Sequence, residues 1–211
     1  MGELEPKTIL VQDWLTIIFL FCFCLIIILK FINPIKFNYL MNINYSKIYK
    51  KNPFNIFSII SCFFIIIIFS KQLFFVFRNY KIVDNEFIYL FYIFFTISSV
   101  VVSRTLIIVL FFKISRYGEF FKNIINGNLN IFFKTSIILF FLMTFNLYAL
   151  NSNHTFNIVI SILIFINLFY SQFSLIWNTS KEHKPSVFLL ISYICILKIS
   201  PWIIIYSLLF I

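Results

Sequence analysis

The sequence predicts an all-α protein, a polytopic transmembrane helix bundle of about six helices, on three observations. Hydrophobic residues fill 62% of the 211 positions and charged residues 11%, and the mean hydropathy is +1.00. A soluble domain is nearer half apolar and a quarter charged, because water must wet its surface. The apolar residues come in continuous runs, and roughly 20 such residues carry a helix across about 30 Å of hydrocarbon. The runs also lack the two-residue alternation of a transmembrane barrel strand. The length fits one transmembrane domain, 1-211.

The first span is read from Trp14 to Ile32, WLTIIFLFCFCLIIIL and its continuation. The preceding MGELEPK leans acidic and no small-x-small site follows, so the segment reads as a retained span rather than a cleaved signal. The second span is Phe54 to Ser70 and the third Phe87 to Phe112, with Arg104 in its last third. The fourth is Ile131 to Leu150. The fifth, Phe156 to Trp177, follows the polar turn NSNHT. The sixth runs from Val187 to Ile211 and holds Lys198 and Pro201. Dividing the second-to-third stretch differently changes the count by one, to five or seven.

Orientation follows from the side on which Lys and Arg collect. Lys30, Lys36, Lys47, Lys50, Lys51, Lys113, Arg116, Lys122, Lys134, Lys181 and Lys184 fall on one side. Lys7, Lys71, Arg78 and Lys81 fall on the other, with most of the acids. The basic side is expected in the cytoplasm of a cell whose inner membrane holds the chain, with both termini outside. Trp14 and Trp177 then stand at opposite interfaces as aromatic anchors. The net charge of +10 thus points to anionic headgroups on the cytoplasmic face, and nucleic acid is not an expected partner.

Two connections on the basic side have the pattern of helices lying in the headgroup plane. Between Pro34 and Pro53, Phe37, Leu40, Met41 and Ile48 fall near one helical face. After the third span, Phe120, Phe121, Ile124 and Ile125 alternate with polar residues, and Gly127 reads as a C-terminal cap.

Deep in the apolar runs this reading leaves two ionisable side chains, Arg104 and Lys198. A charge at mid-membrane costs ~3 kcal/mol on insertion scales, so each is a functional candidate. Arg104 lies ~12 Å and Lys198 ~17 Å in from the basic side, at 1.5 Å per residue. Two alternatives stand for each: it snorkels to the interface along its own stem, or it meets an anion inside the bundle. Pro201 removes the hydrogen bond to the Leu197 carbonyl, so Lys198, Ser200 and Pro201 form a polar break in the last helix. Asn167, Ser171 and Ser174 in the fifth span, and Thr96, Ser99 and Ser103 in the third, follow helical spacing and are expected to tie helices together.

Other chemistries lack their residues. Cys22 and Cys24 point to nearly opposite helix faces, and Cys62 and Cys195 also lie in spans, so all four read as free apolar-like thiols. His154 and His183 are separated by a whole helix, so no metal site or haem pair is expected, and no cofactor. No P-loop, dinucleotide or GxSxG pattern occurs. The usage is lopsided: 32 Phe, 3 Gly and one Ala, Ala149. That bias toward Ile, Phe, Asn and Lys reads as AT-rich coding, so many of these residues report codon bias rather than chemistry.

The last span carries a resemblance. YICILKISP, with Tyr193, Cys195, Lys198, Ile199 and Pro201, resembles the end of an uncharacterised family of polytopic inner-membrane proteins of Bacteroidetes, a domain-of-unknown-function family. QDWL (Gln12 to Leu15) is similar to that family's entry to its first helix, and Arg104 to its basic residue late in the third. The chain departs from it in having Lys198 where the family has an acid, and no proline in the fourth span. The resemblance implies size, topology and location, and no activity. The expected function is a non-enzymatic subunit or scaffold of an envelope membrane complex, with a membrane-protein partner. One alternative is a transporter or lipid-handling protein with an anionic cargo; a second is a membrane enzyme with Lys198 as base.

Overall fold

The computed structural model describes residues 7–41, 55–77, 85–114, 118–150 and 153–183. Among them are six α-helices and no strand: α1 Lys7–Ile32, α2 Pro34–Met41, α3 Ile56–Phe77, α4 Glu86–Ile114, α5 Gly118–Ala149 and α6 His154–His183. All but α2 are long and apolar enough to cross a membrane. The sixth predicted span, Val187 to Ile211, lies outside the described residues.

Asparagine starts four of these helices. Asn33 Oδ1 accepts from the Lys36 backbone N–H at 2.9 Å, with Pro34 at the first helical position where its missing donor is harmless. Asn85 and Asn153 cap α4 and α6 through the N–H groups of Phe87 and Phe156. Asn55 opens α3, accepting from Ser58 and Ile59 on its carbonyl. The asparagines that codon bias explains are therefore also placed where a helix leaves its first donors bare.

α3 and α5 form the interior: 61% and 56% of their apolar windows are buried, against 28% for α1, 28% for α4 and 11% for α6. With little Gly or Ala to let backbones close up, phenylalanine fills the space between them. Phe64 packs between Phe133 (5.9 Å) and Phe140 (6.5 Å), and Phe140 meets Phe19 of α1 at 5.7 Å. The tilted and edge-on geometries are those that aromatic quadrupoles favour. Trp14 is wedged edge-on between Phe74 of α3 and Phe87 of α4. We name the two ends of the bundle after Trp14 and after Lys36.

Four expectations are corrected. The second span does not stop at Ser70: α3 continues to Phe77, because LFFVF resumes the apolar pattern beyond Lys71 and Gln72. The fourth begins at Gly118 rather than Ile131, so the segment Phe120–Ile125 is the first part of α5. Its Phe120, Phe121 and Ile124 are buried against Ile108 of α4 and Ile176 of α6, not laid in headgroups. Gly127 is no cap. It lies inside α5 where α6 passes so near that a Cβ would collide with Leu175 Cδ1 and lie 2.7 Å from Cδ2. Last, α2 turns its Leu40 inward, and Phe37 meets Phe133 edge-on at 6.0 Å, so this connection docks on the bundle. Ile48 lies outside the described residues.

Candidate functional site

Helix hydroxyls contribute little between helices. Ser61, Ser70, Thr96, Thr135, Ser136, Thr144 and Thr179 each donate to a carbonyl one turn earlier in their own helix. Thr96 is buried, while Ser99 and Ser103 of the same predicted stripe are exposed. The ties run through amides instead. At the Trp14 end, Gln72 Nε2 of α3 donates to the Asn157 carbonyl (3.1 Å) and to Ser161 Oγ (2.6 Å) of α6. Asn146 Nδ2 of α5 donates to Asn157 Oδ1 at 2.8 Å, and Asn146 Oδ1 accepts from the Asn153 N–H at 3.1 Å. One ring nitrogen of His154, Nε2, is 3.2 Å from the Val76 carbonyl. Three helices are joined by this cluster, in which Gln72, Asn146 and Asn157 are all buried.

Beside it lies a cation that falls just past the predicted end of the second span, Ser70. Lys71 is 1% exposed, its Nζ 3.2 Å from the centre of the Phe19 ring and 3.5 Å from the Leu15 carbonyl to which it donates. Cys22, one turn further along α1, is fully buried. Among the described residues, α3 therefore holds a buried ionisable group within its apolar span. The signal that marks it is the apolar run on both sides of Lys71–Gln72, which a loop would not have. At the opposite end, Lys36 of α2 is buried, donates to Ser58 Oγ at 2.9 Å and sits 4.9 Å above the Phe57 ring. Burial holds its amine below the ordinary 10.5.

Arg104 continues the inward stripe of α4, in which Ile93, Ile97, Val100 and Ile108 are all buried. Its Nε and Nη2 are buried and donate to no partner. Asn167 faces the other way. It is exposed on α6 and accepts from Ser171 Oγ at 3.1 Å; round the same helix Phe165, Ile166, Phe169, Tyr170 and Phe173 are exposed as well. Those five side chains line a shallow hollow of about 330 Å³. Lys198, Ser200 and Pro201 lie outside the described residues. Among the described residues no three His, Cys, Asp or Glu side chains gather as a metal site would need. Cys22 and Cys24 do point apart, one buried and one exposed.

A helical bundle with membrane-length apolar spans and amide ties between packed helices defines the class: a multi-pass membrane protein. The family model described as Domain of unknown function (DUF4271) matches residues 15–209, and the chain belongs to that family. No curated protein and no solved structure matches the chain.

Proposed function

We propose that the chain is a non-enzymatic subunit or scaffold of an envelope membrane complex, seated in the inner membrane. In this reading the Lys36 end is cytoplasmic, and Val187 to Ile211 forms a further span that returns the chain to the outer side. Burial of Lys71 supports the orientation, since the cation-poor side then keeps only Lys7, Arg78 and Lys81.

The observation that carries the proposal is the outward face of α6. Asn167 and Ser171 form a polar pair near the middle of a 30-residue apolar helix, on a face that α3 and α5 leave open. An amide turned to hydrocarbon lacks partners for its remaining donors, and a second helix supplies them. A photo-crosslinking amino acid placed at Tyr170 tests this in native membranes. The proposal expects a discrete adduct whose mass adds a second polypeptide. Adducts to lipid alone, or to the chain's own C-terminal segment alone, would overturn it.

A further inference from the structure

The unpaired Nε and Nη2 of Arg104 are a different matter from the α6 face, and they point inward. Ile108, one turn beyond it, packs with Phe120, Phe121 and Ile124 of α5 and with Ile176 of α6, so three helices converge there. α4 and α5 are antiparallel neighbours. Moving one turn from Ile108 to Arg104 therefore moves the level on α5 from Ile124 to about Asn128, itself buried. Arg104 thus enters the junction of α4, α5 and α6, inside the Lys36 half of the bundle.

The two orphaned nitrogens are not an arbitrary pair. Nε and Nη2 make one edge of the guanidinium, with parallel N–H donors spaced to grip two oxygens of a carboxylate or phosphate. A buried donor pair without an acceptor is costly. Among the described residues, no acid of α4 or α5 supplies an acceptor. Glu119 lies at the start of α5, level with the end of α4 and ~15 Å along the axis from Arg104, and Glu86 is ~27 Å away at the other end. Both distances exceed what the side chains span.

We infer that Arg104 is the anchor of an oxyanion site at the α4–α5–α6 junction, taking the phosphate group of an anionic lipid headgroup or a free phosphate ion. The ligand's two oxygens accept from Nε and Nη2, and the buried Asn128 amide stands at the same level as a neighbour of the site.

The test uses the full chain in mild detergent, with native mass spectrometry and phosphorus NMR as readouts, and two probes: phosphatidylglycerol against a phosphatidylcholine background, and inorganic phosphate. Wild type is expected to retain phosphatidylglycerol. Arg104→Gln is expected to bind it about tenfold more weakly, the size expected for hydrogen bonds to a charged group. Lys181→Gln, on the exposed end of α6, is expected to leave binding unchanged. Displacement of the lipid by inorganic phosphate would identify the small anion as sufficient; lipid retention in its presence would assign the site to the headgroup. Should Arg104→Gln fail to fold, Arg104→Lys keeps the charge and loses the fork, and a several-fold loss is expected of it. Wild-type binding of both probes by folded Arg104→Gln or Arg104→Lys would overturn the inference.

Discussion

The amine nitrogen of Lys71 stands 3.2 Å from the centre of the Phe19 ring, between the two helices that hold them. A desolvated cation over an aromatic face gains about 2 kcal/mol, and the ring substitutes for a counter-ion. A double-mutant cycle of Phe19→Leu and Lys71→Met, read by unfolding in detergent, is expected to give a coupling of about 1 kcal/mol or more. Lys71→Met alone should leave the protein as stable as wild type or more so, because a buried charge is replaced by an apolar stem of similar length. Additive effects would show that the ring merely fills space.

The amide cluster at the Trp14 end is expected to outweigh the exposed stripe on α6. Asn146→Ala removes the donor to Asn157 and the acceptor for Asn153, and should lower stability by about 1 kcal/mol. Asn167→Ala breaks only a bond within its own helix and should change the isolated chain's stability by less than about 0.5 kcal/mol. The same unfolding measurement ranks the two, and the reverse order would refute the assignment.

Gly127 and Leu175 set how closely α5 and α6 cross. Gly127→Ala gains up to about 1 kcal/mol of helix propensity but pushes the Leu175 side chain aside, so the two effects should nearly cancel. Gly127→Leu has no such room and should destabilise by about 1–3 kcal/mol. Adding Leu175→Ala to Gly127→Leu is expected to restore part of that loss, by an amount readable in the same assay. No rescue would mean that the two residues do not meet.

Lys36 gives a pH dependence of known sign. Burial lowers its folded value below 10.5, so between the two values the unfolded chain binds more protons. Stability should therefore rise with pH across that window, the penalty for burying the charge being fully present below it. Lys36→Met should remove this component, seen as a smaller alkaline gain in unfolding free energy than in wild type. Equal slopes in the two proteins would contradict it.

The class was legible from continuous apolar runs, because hydrocarbon accepts only backbones that satisfy themselves. Ends were harder, and the failures share a cause. At Lys71–Gln72 and at Lys122–Asn130 the reading treated polar residues as boundaries, whereas a helix continues through them when other helices supply partners. Phe19 does so for Lys71, and Asn157 and Ser161 do so for Gln72; none is near in sequence. The inward position of Arg104 was in principle readable from its spacing with Ile93, Ile97, Val100 and Ile108. The outward position of Asn167 was not, since both faces of α6 are apolar and only packing distinguishes them. Lys198, Ser200 and Pro201 remain expectations from sequence.

Lys71 and Gln72 are adjacent, yet they find their partners at different times in the life of the chain. Leu15 and Phe19 are synthesised before Lys71, so its partners are already in place when α3 leaves the ribosome. The Gln72 amide depends on Asn157 and Ser161, which are made 85 and 89 positions later. At ~5–20 residues per second that wait is about 4–18 s. Throughout it the Gln72 N–H donors lack these two acceptors, so the tie between α3 and α6 closes only after α6 has been made.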